Sequence, residues 1–140
     1  MDQRKIAAAI DGSDYSDKVV DKAIEYARLL DARILLIYCH RKFPKILGHP
    51  YRDHIISAIM DETNETVAPF VKKLTESKVP FEERFMEEPA GSMIPQIAEC
   101  EQCELIIMGS RGLSNIEGLL IGSVTHKVLH IAHCPVLVVK

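Results

Sequence analysis

The chain has 140 residues, a size that suits one domain with its own hydrophobic core and needs no disulfide or metal staple. Its formal charge of −3 argues against a protein built mainly to hold a nucleic acid backbone, and no apolar run approaches the length of a membrane span. The four cysteines, Cys39, Cys100, Cys103 and Cys134, are scattered, and the N-terminal stretch lacks the long apolar run and cleavage site of a secretory signal. Together these read as reduced thiols in a cytoplasmic protein.

In chain order, Ile6 to Ile10 is short, apolar and bounded by Asp11-Gly12, which predicts a buried strand. Ser13 or Asp14 then caps a helix whose Val20, Ala23, Ile24, Ala27 and Leu30 recur at helical spacing. Arg33 to Cys39 predicts a second buried strand, followed by a loop with Pro44, Gly48 and Pro50. A long helix is marked by Ile56, Ile59, Met60, Thr63, Val67, Phe70, Val71 and Leu74, with Pro69 expected to kink or split it. Phe81 to Met86 is a more polar strand, expected near a sheet edge. Ser92 opens a short helix, with Pro95 in its first turn. Leu105 to Met108 is a fourth strand, Ser123 to Ala132 a last helix, and Pro135 to Val139 a last strand.

Strands therefore alternate with helices, and strands this apolar must be covered on both faces. The expectation is an α/β fold: a doubly wound, five-stranded parallel sheet with helices on both faces. Winding outward from the first strand and returning to its other side gives the order 3-2-1-4-5. Ligands bind such sheets beyond the C-terminal ends of the strands, at the point where the winding reverses. Here that point lies between strands one and four, at Asp11-Gly12 and at Gly109-Ser110-Arg111-Gly112.

The stretch "MGSRGLSNIEGLLIGSV", Met108 to Val124, fits that position. Glycines let backbone N–H groups approach a phosphate, and Gly122-Ser123 opens a helix whose free N–H groups and dipole favour negative charge. Ser123 adds a hydroxyl and Arg111 a charge. Leu119-Leu120-Ile121 is expected to anchor the returning loop. The P-loop pattern and the Gly-x-Gly-x-x-Gly fingerprint are both absent.

Gly109, Gly112, Gly122 and Ser123 are spaced as Gly, two residues, Gly, nine residues, Gly-Ser. With "AAIDGSDYS" near the start and "CPVLVVK" at the end, the whole chain resembles the universal stress protein family, in its nucleotide-binding type. The resemblance implies ATP binding. It implies that Gly109, Arg111, Gly112, Gly122, Ser123 and Val124 hold the phosphates, and that Ile10, Asp11 and Gly12 line the adenosine. Cys39 would meet the adenine edge through its backbone, with Met108 packed nearby. It further implies a Mg²⁺ ion bridging the phosphates, and a homodimer through the last strand, Val136 to Val139. The function so implied is a nucleotide-regulated signalling or stress-response dimer with an unidentified protein partner. A dimeric adaptor with a vestigial pocket and a slow ATPase are the alternatives. Two positions depart from the family pattern: Glu87-Glu88-Pro89-Ala90, where a glycine often precedes the Pro-Ala, and Glu104, where aspartate is usual.

Other candidates read as structural. Cys100-x-x-Cys103 falls at a helix end rather than at the helix N-terminus that lowers a thiol pKa, and a zinc knuckle would need a second pair. His126, His130 and His133 lie opposite Val124, Val128 and Ile131, which reads as the core stripe, so the histidines are expected on a solvated face without a metal. His40, His49 and His54 flank a loop that can approach the nucleotide. Ser123 has no evident base, Gly-x-Ser-x-Gly is absent, and nothing pairs with Asp11 to activate water. No catalytic residue is therefore expected.

Overall fold

The computed structural model describes residues 3–112 and 121–140. Strand β1 (Arg4–Ile10) has five consecutive buried residues, Ile6 to Ile10, because both of its faces are covered. Helix α1 (Asp14–Leu30) follows, and β2 (Ala32–His40) pairs with β1 in parallel from Arg4↔Ala32 to Ile10↔Tyr38. Then come α2 (Tyr51–Ser77), β3 (Phe81–Glu87), α3 (Ala90–Cys100), β4 (Ile106–Gly109), α4 (Ser123–Ile131) and β5 (Val136–Val139). The sheet order is β3-β2-β1-β4-β5, all pairings parallel, as the winding argument requires.

Side chains of each strand alternate between two apolar layers. Ile6, Ala8, Ile10, Ile34, Leu36 and Ile107 face α1 and α2, where Val20, Ala23, Val67 and Leu74 meet them. Ala7, Ala9, Leu35, Ile37, Ile106 and Met108 face α3 and α4, against Ile94, Ala98 and Val128. The small alanines of β1 let helices lie close over the middle of the sheet. Strand β3, with no fully buried residue, sits at an edge.

Three local expectations are corrected. Helix α2 is not split at Pro69; it runs unbroken through it. Pro69 and Glu65, whose carbonyl loses its i+4 donor there, are both exposed, so the break falls on the solvent side, while Thr63, Val67 and Leu74 keep one buried face continuous across it. Helix α3 begins at Ala90, two residues before Ser92, because the Pro89 carbonyl already accepts the N–H groups of Ser92 and Met93. Pro95 therefore lies beyond the first turn. On α4 only Thr125 and Val128 are buried, whereas Val124 and Ile131, expected in the core, are 40% and 46% exposed. His126, His130 and His133 are exposed. The expected anchor Leu119-Leu120 lies outside the described residues, and its neighbour Ile121 is 39% exposed. No described helix is long and apolar enough to cross a membrane.

Leu36 is fully buried between β1 and the helices above it. Leu36→Ala should cost about 2 to 5 kcal/mol of stability. A urea midpoint unchanged from the parent would contradict this packing.

Candidate functional site

The site forms where β1 and β4 lie side by side and the chain leaves each in a different direction. After Ile10, the carboxylate of Asp11 closes a tight turn: its Oδ1 accepts the Ser13 N–H at 2.9 Å and the Ser16 hydroxyl at 3.1 Å. The Ser16 oxygen in turn accepts the N–H groups of Asp11 and Gly12 at 3.0 and 3.1 Å. Gly12 has φ +84°, and a Cβ there would also stand 2.7 Å from Thr66 Cγ2. Ser13 occupies the N-cap of α1, but its hydroxyl makes no cap bond; the Oγ is buried without a partner among the described residues. Buried polar atoms of this kind are uncommon, and this one stands two residues from Asp11.

The β4 side is built by its own hydrogen bonds. Ser110 N–H donates to Val139 O at 2.8 Å, and Gly122 N–H donates to Ser110 O at 2.7 Å. The Thr125 hydroxyl donates to Gly109 O at 2.7 Å. These bonds fix the start of α4 against the end of β4. They also turn the Gly122 N–H inward, so the donors offered to a ligand are the N–H groups of Ser123 and Val124, the first two residues of α4. Both residues are exposed.

The two sides touch. A Cβ on Gly112 would collide with Asp11 Oδ2, so the second carboxylate oxygen is pressed against the β4 loop. Gly109 packs on Tyr15 of α1, where a Cβ would lie 2.8 Å from the Tyr15 Cβ. Gly122 differs. Its φ of −70° suits any residue, and the nearest described atoms to a Cβ there are Arg111 Cα at 3.4 Å, Ser110 O at 3.6 Å and Gly112 N at 3.8 Å. Neither the backbone nor the packing of the described residues demands glycine; a side chain would come against the Gly112 amide.

Asp11, Gly109, Arg111, Gly112, Gly122 and Ser123 are thus gathered at one mouth, with Gly12 and Val124 beside them. Met108 is buried just below, in the apolar layer under α3 and α4, and Cys39 packs at the border of the same layer. Ile10 faces the opposite layer, so only its backbone can line the mouth. Burial pushes the Cys39 thiol up to about 11, helped by the charge of Glu88. Burial likewise pushes Cys103 up to about 12. None of the four cysteines forms a disulfide, and no cluster of three His, Cys, Asp or Glu residues suits a metal among the described residues.

Sequence reasoning missed Ser16, which lies 2% exposed beneath the turn, and Thr125. It also missed a cleft of about 480 Å³ beside the start of α4, lined in part by Ser123, Val124, Lys42 and Lys127. A larger cleft between α1 and α2 involves Asp21, Arg28 and Lys73 and is remote from this mouth.

The model of the universal stress protein family matches residues 3–140. The chain belongs to this family. Universal stress protein MJ0531 of Methanocaldococcus jannaschii is 35% identical over 140 residues, spanning 98% of this chain and 82% of that one. The solved structure of MJ0577, also from Methanocaldococcus jannaschii, superposes with a TM-score of 0.86 at 24% identity, covering 99% of this chain and 96% of the other. A universal stress protein in complex with cAMP gives 0.64 at 26% identity, covering 100% and 98% of the two chains. A family member from Arabidopsis thaliana with AMP bound gives 0.70 at 19% identity, covering 98% and 91%.

Two outcomes check this geometry. Gly112→Ala should displace the Asp11 carboxylate and cost about 1 to 3 kcal/mol of stability; an unshifted melting temperature would contradict the contact. Iodoacetamide near neutral pH should label exposed Cys100 at least about tenfold faster than Cys39 or Cys103, because burial disfavours their thiolates. Rapid labelling of Cys39 in peptide mass analysis would mean that its environment is open.

Proposed function

We propose that this universal stress protein binds an adenine nucleotide at the β1–β4 mouth, with ATP and Mg²⁺ as its ligand. The observation that carries this reading is the convergence at Gly122, whose bare Cα faces the Arg111–Gly112 backbone at contact distance, with Ser123 and Val124, the first two residues of α4, exposed alongside. Amides converging at a helix start favour a phosphate. The cAMP-bound and AMP-bound relatives support an adenine nucleotide as the class of ligand.

Each residue then has a task. Ser123 and Val124 donate their N–H groups to phosphate oxygens, and the Ser123 hydroxyl adds a donor. Gly109 and Gly112 keep the floor low, and Arg111 contributes positive charge. Asp11 has one oxygen held by Ser13 and Ser16; its other oxygen accepts a ribose hydroxyl. Met108 and the Cys39 backbone border the base. A Mg²⁺ ion fits as a passenger of the phosphates, because that ion keeps most of its waters and is commonly bound through substrate oxygens rather than a protein cage. The carboxylate is already oriented by two donors, which suits holding a hydroxyl better than activating water, so turnover is expected to be slow.

The edge strand β5 supports a homodimer. Val136, Leu137 and Val138 are only half-buried on an unpaired edge of the sheet, an arrangement that invites strand pairing. Light scattering should give about twice the 15.7 kDa chain mass; a monomer at working concentration would reject the dimer.

Saturating ATP–Mg²⁺, at about 100 times Kd, should stabilise the protein by about 2.7 kcal/mol, a melting shift of roughly 5 to 10 °C. Gly122→Val fits the backbone but covers the amide, and the shift should largely vanish. Equal shifts in parent and variant would reject this site. Mass analysis of ligand carried through purification should find an adenine nucleotide.

A further inference from the structure

The cleft beside the start of α4 brings together three elements that are distant in sequence. Lys42 comes from the loop after β2, Glu88 from the β3–α3 turn and Gly91 from the first turn of α3, and Ser123, Val124 and Lys127 from α4. Lys127 stands four residues after Ser123, on the same face of the helix, one turn behind the exposed N–H groups. Its position is set by packing. Gly91 is buried, and a Cβ there would lie 3.0 Å from Lys127 Cδ and 3.2 Å from Lys127 Cβ. The aliphatic stem is therefore laid across the first turn of α3, which lowers the entropy lost when the ammonium group takes a partner. Among the described residues neither Lys42 nor Lys127 has a carboxylate within ion-pair distance, although Glu88 lines the same cleft. Two unpaired cations against one carboxylate leave the cleft positive, next to the positive end of a helix.

We infer that Lys42 and Lys127 clamp the terminal phosphates of a nucleoside triphosphate and set the preference of this site for a triphosphate over a monophosphate. This rests on the reading of the mouth as an adenine-nucleotide site and adds the basis of discrimination. A single phosphate held by the N–H groups of Ser123 and Val124 satisfies those donors and leaves both ammonium groups with water. A longer chain carries its added charge into the cleft, where the two lysines meet it from opposite walls. Glu88 opposes bare phosphate charge there, so the clamp favours a polyphosphate whose charge is partly neutralised by a divalent ion.

The test is calorimetric titration of the parent and of a Lys42→Met/Lys127→Met variant with ATP–Mg²⁺, AMP and inorganic tripolyphosphate. Methionine keeps the packing over Gly91 and removes only the charge; a parent-like melting temperature verifies the fold. The double variant should lose about tenfold in ATP affinity, should weaken for tripolyphosphate, and should bind AMP within about twofold of the parent. The loss should shrink as salt rises, as screening requires. Equal losses for ATP and AMP, or none for ATP, would overturn the clamp while leaving the nucleotide site intact. Tripolyphosphate binding that depends on the lysines, without binding of either nucleotide, would retain the clamp and overturn the adenine reading. Recovery of ATP preference in Lys42→Arg/Lys127→Arg would confirm that charge is the property being read.

Discussion

The carboxylate of Asp11 holds the candidate site together. One oxygen takes the Ser13 N–H and the Ser16 hydroxyl, and the other lies against Gly112 on the facing loop. Ser16 closes the arrangement by accepting the N–H groups of Asp11 and Gly12. Leaving a buried donor of this sort without a partner costs about 1 to 3 kcal/mol. The turn after β1 is thus held in one shape, and β4 is held to it by contact. Everything offered to a ligand at this mouth depends on those two loops being at a fixed distance.

The sheet places that junction where it can be reached. A continuous apolar β1 has to be central, since both of its faces must be covered, and the more polar β3 is free to take an edge. That much was legible in the sequence, because buried parallel strands have no polar alternation to confuse the reading. Periodicity misled on α4. A helix of nine residues makes little more than two turns, and Val124, Val128 and Ile131 look like a stripe; yet it is Thr125 that lies inward, because its hydroxyl reaches the Gly109 carbonyl. With Thr125 bonded to β4, Val128 stays buried while Val124, Leu129 and Ile131 face out. Pro69 misled for a related reason. A proline breaks a helix where its lost bond is costly, and on a solvated face the cost is small.

The glycine spacing marked the site, but the reason for each glycine was not legible. Gly109 and Gly112 are required from within, by Tyr15 and by Asp11, so they would be needed even if nothing bound. Gly122 has no such requirement among the described residues. Serine at position 16 gave no signal at all. In the first turn of an amphipathic helix it reads as ordinary surface, and its role appears only when the turn folds back over it. Lys42 and Lys127 were equally silent, since their relation to Ser123 is made by the meeting of three segments.

A chain of net charge −3 that offers an anion site raises no conflict, because the field at a cleft is set by the nearest groups rather than by the sum. At this mouth the nearest groups include the amide dipoles at the start of α4, Arg111 and the two lysine ammonium groups, against the single carboxylate of Glu88 in the cleft. They lie on one side. Asp11 lies on the other, with its charge partly satisfied by two donors. A nucleotide has the same polarity along its length, with a hydroxyl-bearing sugar at one end and a charged chain at the other. In the proposed complex the arrangement would fix orientation as well as affinity. Reversing the ligand would set phosphate against carboxylate and sugar against ammonium, so the proposed pose has the sugar toward β1 and the phosphates toward α4.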